Sequence, residues 1–201
     1  MKHIVSAGAC VLLLAALGCL DASWADDSLW AKPVKVEGVP GLFRVTPDLY
    51  RSGQPTLEGL RNLKAMGIKT VINTRDFHSN RDEVLAAGLQ YERIHMKAWF
   101  PLEEDAVRFL KIVTDPKRTP VLVHCWLSSD RSGTLIAIYR IAVQGWSRED
   151  AVQEMTEGDF GFHKELIDLP MWVKMVNIER IKRKAGIESI NPEMNQDQPK
   201  K

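Results

Sequence analysis

The sequence predicts an α/β fold in which helices flank a mostly parallel central sheet. Three observations indicate this class. Short apolar segments alternate with amphipathic ones along the chain. Residues 68–72 and 120–124 are apolar enough to be buried strands, and each is followed by a polar loop and then a helical pattern. Strands that alternate with helices in this way form a mostly parallel sheet.

The elements before residue 96 are short. Residues 42–45 and 49–51 are predicted strands around a turn at Pro47. Thr56 can cap a helix over residues 57–66, and Gly67 ends it. Residues 68–72 then form a buried strand, a short helix ends at Gly88, and residues 90–95 alternate as a strand. Arg51 and Gln54, at the end of the second strand and in the loop that follows, could contact the site through the Ser52-Gly53 loop, but turn roles are favoured.

The second half is mainly helical. A helix over residues 102–114 opens with Glu103, Glu104 and Asp105, which suit a helix N-terminus. Residues 120–124 form a strand, and the helix over residues 132–143 is apolar nearly all round, which predicts burial. Further helices are predicted to begin at Ser147 and to cover residues 169–184.

Composition narrows the function. The 201 residues include 27 lysines and arginines and 26 aspartates and glutamates, so the net charge of +1 gives no reason to expect a nucleic-acid partner. The histidines are scattered, and no metal site or cofactor is expected. Residues 26–185 are predicted to form one domain, and the polar residues 186–201 a disordered tail.

The N-terminal residues 1–25 are predicted to be a cleaved secretory signal. Residues 4–20 carry no charge, and Ser23-Trp24-Ala25 places small residues where a signal peptidase reads them. The apolar stretch is short for a membrane span, which needs about 20 residues, so no stable insertion is expected. The mature protein would be periplasmic or secreted. An alternative is a lipid anchor through Cys19, because residues 16–19 loosely resemble a lipobox.

Cys125 is the one cysteine outside that segment, so it has no disulfide partner. It follows a buried strand, and Arg131 lies six positions later, just before a buried helix. Main-chain N–H groups of such a loop can bind an anion at the helix N-terminus, and Arg131 can clamp two phosphoryl oxygens. A thiolate in this positive field would attack phosphorus, and water would then hydrolyse the phosphocysteine.

The neighbours of these two residues receive supporting roles. Ser132 can donate a hydrogen bond to the sulfur and help it leave. His124 is expected to position the loop by bonding to main-chain groups around it. The partner is a phosphorylated substrate, whose binding is expected to involve Trp126, Leu127, Ser128, Ser129 and Gly133.

His124-Cys125, five residues, then Arg131-Ser132-Gly133 resembles the signature of the cysteine-dependent protein tyrosine phosphatases. Residues 49–55 and 67–73 resemble the compact dual-specificity branch, especially its atypical plant, fungal and bacterial members. The resemblance runs from about Phe43 to Arg183. It implies a protein tyrosine phosphatase-like fold and a metal-independent phosphate-monoester hydrolase, with Cys125 as nucleophile and Arg131 as phosphate clamp.

One departure concerns the general acid. The family usually places an aspartate in the loop before the helix that precedes the signature strand, and residues 96–101 contain no carboxylate. Asp130 inside the signature loop is one candidate and Asp76 another. The acids that open the third predicted helix are further candidates: Glu103, Glu104 and Asp105.

The substrate and two other functions remain open. The loop contains no lysine, which favours aryl monoesters such as phosphotyrosine over inositol polyphosphates, although Arg75, Arg81 or Lys97 could add charge from neighbouring loops. One alternative is a module that binds phosphate without turnover. The other is a rhodanese-like sulfurtransferase, which also places a cysteine in an anion-binding loop.

Overall fold

The computed structural model describes residues 29–97 and 99–187. The predicted signal segment, Cys10 and Cys19 lie outside the described residues, as does the predicted tail from residue 188 onward. None of the described helices combines the length and apolar character that a membrane crossing requires.

A six-stranded sheet forms the centre, with strand order β1-β2-β3-β6-β4-β5. The pairs β3–β6, β6–β4 and β4–β5 are parallel, and the pairs β1–β2 and β2–β3 are antiparallel. The predicted α/β class with a mostly parallel sheet is therefore confirmed. The strands are β1 (Lys32–Pro33), β2 (Phe43–Thr46), β3 (Leu49–Ser52), β4 (Thr70–Asn73), β5 (Gln90–Arg93) and β6 (Val121–His124).

Helices cover both faces of the sheet. Alternate residues of β6 point to opposite sides, so Val121 and Val123 join the larger core and Leu122 joins the smaller one. The larger core contains residues of α3 to α7, and the smaller one contains residues of α1 and α2. The helices are α1 (Leu57–Ala65), α2 (Arg81–Ala86), α3 (Glu103–Val113), α4 (Asp130–Ala142), α5 (Arg148–Glu157), α6 (Asp168–Met175) and α7 (Ile178–Ala185).

Several boundaries differ from the sequence prediction: β1 was not predicted, β4 begins at Thr70 and β5 ends at Arg93. The final helix is two helices, because the side chain of Asn177 accepts the N–H of Arg180 at 2.9 Å and so caps a new helix. Helix α4 begins at Asp130, two residues earlier than predicted. Ile187, assigned to the tail, packs against the larger core after Gly186 ends α7 in a left-handed conformation.

The strand registers determine where the site lies. His124 at the end of β6 is paired with Ser52 of β3 on one side and with Asn73 of β4 on the other. All three strands are parallel, so the loops that follow them leave the same edge of the sheet. Open α/β sheets bind ligands at this carboxyl edge.

Candidate active site

Cys125 directly follows β6 and is buried, with 2% of its surface exposed. Its sulfur accepts the main-chain N–H of Ser128 at 3.2 Å. Ser128 has a φ of 75°, a left-handed conformation that is uncommon for a residue with a side chain. The loop between β6 and α4 therefore folds back toward the sulfur.

The loop ends in an anion-binding helix start. The N–H groups of Ser129, Asp130, Arg131 and Ser132 donate to no acceptor among the described residues. The first turn of any helix leaves such donors unpaired, and the helix dipole adds positive potential there. Four unpaired donors that begin four residues after the sulfur provide a cradle for a phosphate group.

Two guanidinium groups lie near each other at the site: that of Arg131, at the start of α4, and that of Arg75, in the loop after β4. The guanidinium of Arg75 lies 4.4 Å from the ring centroid of Trp126, and its Nη1 donates to Gln54 Oε1 at 2.9 Å. Burial lowers the pKa of Arg75, and the nearby charge of Arg131 lowers it further. Among the described residues, no acidic side chain forms an ion pair with Arg75 or Arg131.

A third arginine, Arg51 of β3, supports the loop from inside the protein. It is fully buried and donates to the carbonyl oxygens of Ser128 and Ser129, the latter at 3.1 Å, and to Ser128 Oγ at 3.3 Å. Its guanidinium lies 3.9 Å from the ring centroid of Phe160. Burial lowers the pKa of Arg51 to about 10, so it remains charged at neutral pH.

The assignment of Arg51 and Gln54 to turn roles is therefore wrong, because both side chains bind residues at the site. The signal in the sequence was a charged residue within an apolar strand, since a buried arginine needs partners. Gly53 between them also contributes, because a Cβ there would lie 3.0 Å from the carbonyl oxygen of Trp126. A side chain at position 53 would require this carbonyl group to shift by a few tenths of an ångström.

His124 is fully buried beneath the loop. Its Nδ1 lies 3.1 Å from the carbonyl oxygen of Cys125, and Asn80 Nδ2 lies 3.3 Å from its Nε2. A carbonyl only accepts, so Nδ1 carries the proton and Nε2 accepts from Asn80. Asn73 holds Asn80 in turn through a 2.8 Å bond. Burial lowers the pKa of His124 to about 4, which keeps the ring neutral at pH 7.

The other predicted loop residues divide into two groups. Trp126 and Leu127 are each 55% exposed and lie at the rim. The side chains of Ser128 and Ser129 are buried within the protein, where Ser128 Oγ accepts from Arg51. They could contact a substrate in the cradle only through their main chain.

Ser132 and Gly133 begin the buried part of α4. The hydroxyl of Ser132 is buried and has no hydrogen-bond partner among the described residues, so it makes no bond to the sulfur in this structure. The main-chain N–H of Gly133, a predicted substrate-binding residue, donates to the carbonyl oxygen of Ser129 at 3.1 Å and so is not among the unpaired donors. A Cβ at Gly133 would lie 3.2 Å from Arg51 Nη2 and 3.4 Å from Met155 Cγ.

The carboxylate of Asp130 faces the segment between α5 and α6. It accepts the main-chain N–H of His163 at 3.0 Å and lies 2.9 Å from His163 Nδ1. Both oxygens are engaged by this one residue. The structure thus shows Asp130 fixing the end of the loop to a neighbouring segment.

The remaining acid candidates lie in two places. Glu103 binds Arg180 and Glu104 lies 3.4 Å from Lys184, so both carboxylates face α7. Asp105 accepts the N–H of Leu102 at 3.2 Å, and burial raises its pKa. The carboxylate of Asp76 lies in the loop after β4, beside Arg75 and 3.8 Å from His95 Nδ1.

Metal-ligating side chains are not gathered at the site. Across residues 29–97 and 99–187, no three histidine, cysteine, aspartate or glutamate side chains form a cluster that could hold a metal ion.

Comparison with known proteins assigns the chain to a family. Residues 44–167, more than half of the chain, match the family described as "DSP-PTPase phosphatase fused to NAD+ Kinase". The chain belongs to this family. The dual-specificity protein phosphatase TpbA of Pseudomonas aeruginosa is 28% identical over 156 residues, which cover 76% of this chain and 69% of TpbA. The inositol diphosphatase DSP5 of Arabidopsis thaliana is 25% identical over 126 residues, covering 57% of this chain and 60% of DSP5.

Solved structures agree with the assignment. A cysteine-to-serine variant of P. aeruginosa TpbA in complex with phosphotyrosine superposes with a TM-score of 0.70 at 26% identity, covering 80% of this chain and 98% of that one. The core catalytic domain of the PP-IP phosphatase SIW14 from S. cerevisiae has a TM-score of 0.60 at 24% identity, and the match covers 69% of this chain and 86% of that one. The second likeness shows the fold alone.

The protein is thus a phosphatase, a hydrolase of the dual-specificity and protein tyrosine phosphatase family. The resemblance drawn from the signature and the protein tyrosine phosphatase-like fold are confirmed. Membership of this family favours a phosphatase over the sulfurtransferase alternative.

Proposed function

We propose that the protein hydrolyses phosphate monoesters through a phosphocysteine intermediate and without a metal. One observation carries the proposal: a buried sulfur lies at the base of a loop that offers four unpaired N–H groups and an arginine without an acidic partner. This arrangement suits a tetrahedral dianion that is held close to a nucleophile.

The proposed reaction has two steps. A lone pair of the Cys125 thiolate forms an S–P bond while the ester P–O bond breaks, and the leaving oxygen takes a proton from a general acid. Water then attacks the phosphorus, the S–P bond breaks, and inorganic phosphate leaves. The charges of Arg51 and Arg75 both interact with Cys125, so the nucleophile lies in a region of positive potential.

We assign the general acid to Asp76 and a bracing role to Asp130. The Asp130 carboxylate is occupied by His163, which leaves neither oxygen free to approach a leaving group. Glu103 and Glu104 are engaged with α7, and Asp105 caps α3. Asp76 directly follows Arg75, the residue that contacts the rim of the cradle.

We propose aryl phosphates such as phosphotyrosine as the preferred substrates. Trp126 and Leu127 give the cradle an exposed apolar rim, which suits an aromatic ring above a bound phosphate. The structure of the TpbA variant with phosphotyrosine is consistent with this choice. The relation to an inositol diphosphatase supports the opposite preference. The ratio of kcat/KM for a phosphotyrosine peptide and an inositol polyphosphate decides between them, and a higher value for the polyphosphate would overturn the proposal.

We further propose that the protein is exported and that cleavage occurs after Ala25. The charge-free residues 4–20 and the small residues at Ser23 and Ala25 support this. N-terminal sequencing of the mature protein should begin at Asp26. A retained Met1, or a lipid on Cys19, would contradict it.

The mechanism is tested with two variants. Cys125→Ser should abolish turnover yet bind phosphate or vanadate, because a serine hydroxyl is hardly ionised at neutral pH and the cradle stays intact. Arg131→Ala should weaken both binding and rate. Appreciable hydrolysis by Cys125→Ser would exclude the covalent mechanism. Turnover by wild type separates an enzyme from a module that only binds phosphate.

A further inference from the structure

Arg75 is held in place at three points beside the cradle. Its main-chain N–H donates to Asn73 Oδ1 at 2.8 Å, which fixes the start of the loop after β4. Its Nη1 donates to Gln54 Oε1 at 2.9 Å. Its guanidinium plane stacks on Trp126 at 4.4 Å from the ring centroid. Arg75 is partly buried, and these three contacts orient its guanidinium before any ligand arrives.

No acidic side chain of the described residues balances the charge of Arg75. This arginine forms no ion pair among the described residues, and the charge of Arg131 nearby disfavours its own charge. The four unpaired N–H groups and Arg131 belong to the loop that would hold the reacting phosphate. Arg75 comes from a different loop, the one after β4, and adds a positive charge at the rim.

The position of Arg75 shows where that charge acts. Trp126 is an exposed residue of the rim, so a guanidinium stacked on it lies beside the part of the substrate that extends from the cradle. Gln54 occupies only Nη1, which leaves the N–H groups of Nη2 and Nε as donors. A guanidinium with free donors matches the planar oxygens of a carboxylate or the oxygens of a phosphate.

We propose that Arg75 is a specificity-determining residue that binds a second anionic group next to the scissile phosphate. This inference rests on the proposed phosphatase mechanism and names the class of substrate. Among aryl monoesters, the preferred ones carry a carboxylate or a second phosphate near the phosphate that is removed. Gln54 and Trp126 position the guanidinium, and Arg131 remains the clamp of the reacting group.

The test compares phosphotyrosine peptides that share one leaving group and differ only in their neighbours. The first carries glutamates beside the phosphotyrosine, the second carries glutamines, and the third carries a phosphoserine. A charged hydrogen bond at a partly exposed site should raise wild-type kcat/KM for the acidic peptides about tenfold over the glutamine peptide. The difference between the glutamate and phosphoserine peptides shows whether the site prefers a carboxylate or a phosphate.

Variants assign the effect to one residue. Arg75→Gln should bring the ratio of acidic to neutral kcat/KM close to one, and Arg75→Lys should retain part of it. Arg61→Gln removes an exposed arginine of α1 and should keep the wild-type ratio. Raising the salt concentration should lower the ratio in wild type, because a partly exposed ion pair is screened.

Binding separates this inference from the mechanism. Dissociation constants of the same peptides are measured with Cys125→Ser, alone and combined with Arg75→Gln. If wild type hydrolyses no peptide, the proposed mechanism fails, yet the affinities still report on the second anion site. Equal affinities for acidic and neutral peptides, or a preference that survives Arg75→Gln, would overturn the inference.

Discussion

Replacing Arg51 with methionine should remove most activity while leaving the protein folded. Arg51 lies wholly inside the protein and donates to the carbonyl oxygens of Ser128 and Ser129. Ser128 is held in a left-handed conformation, and its N–H reaches the sulfur of Cys125. Without the guanidinium, nothing in the described contacts of Ser128 replaces this restraint on the loop.

The effect on stability follows from opposing contributions. Two buried carbonyl oxygens lose their donor, at about 1–3 kcal/mol each. The contact with Phe160 contributes about 1–2 kcal/mol more. Against this, burial lowers the pKa of Arg51 to about 10, so the charge itself costs the folded state about 3 kcal/mol that methionine avoids. The free energy of unfolding should fall by only about 2–3 kcal/mol.

The effect on catalysis should be larger. Displacement of a reacting group by about 1 Å can lower a rate about 10²-fold, and the loop holds both the sulfur and the cradle. The assay is kcat for an aryl phosphate, corrected for the folded fraction, together with denaturant unfolding. A wild-type kcat in Arg51→Met would refute the reasoning.

Arg140 provides a matched control. It is also fully buried, but it pairs with Glu154 through a 2.7 Å bond between Nε and Oε2, and it makes no described contact with the loop. Arg140→Met leaves a buried carboxylate without its partner, which should cost about 3–5 kcal/mol. Compared with Arg51→Met, Arg140→Met should lose more stability and retain its kcat per folded molecule.

The remaining predictions concern the pH dependence of stability and the identity of the general acid. Burial lowers the pKa of His124 to about 4, so the stability this residue contributes is complete above pH 6.5, the unfolded pKa, and is lost as the pH falls toward 4. That loss is about 3 kcal/mol. His124→Asn should remove this part of the pH dependence in denaturant titrations, and an unchanged slope would contradict it. Asp76→Asn should slow an alkyl ester about 10²–10⁴-fold and a nitrophenyl ester little. Asp130→Asn should slow both esters alike, and the reverse pattern would return the acid role to Asp130.

The fold and the signature loop could be predicted because their signals are local. The strand before Cys125 is an unbroken apolar run, and the helix after Arg131 is apolar on all sides. The break before α7 was missed, because the apolar spacing of α6 continues across it and hides the cap at Asn177.

The supports of the loop could not be predicted because they depend on long-range order. Arg51 reaches Ser128 across 77 residues, and this contact requires β3 to lie beside β6. Asp130 meets His163 across 33 residues, which requires the turn between α5 and α6 to return to the loop. The sequence shows each residue, but only the strand order and the helix packing bring them together.

The contacts of Arg51 set a lower limit on the piece of chain that can act. A fragment that begins after Arg51 would keep Cys125, Arg131 and the helix, yet lose the cation that shapes the loop between them. A fragment that ends before Phe160 would lose the ring on which that cation rests. The shortest working unit therefore includes at least residues 51–160. The signature loop alone, moved to another strand and helix, would lack Arg51, and recovery of activity during refolding should report the pairing of β3 with β6.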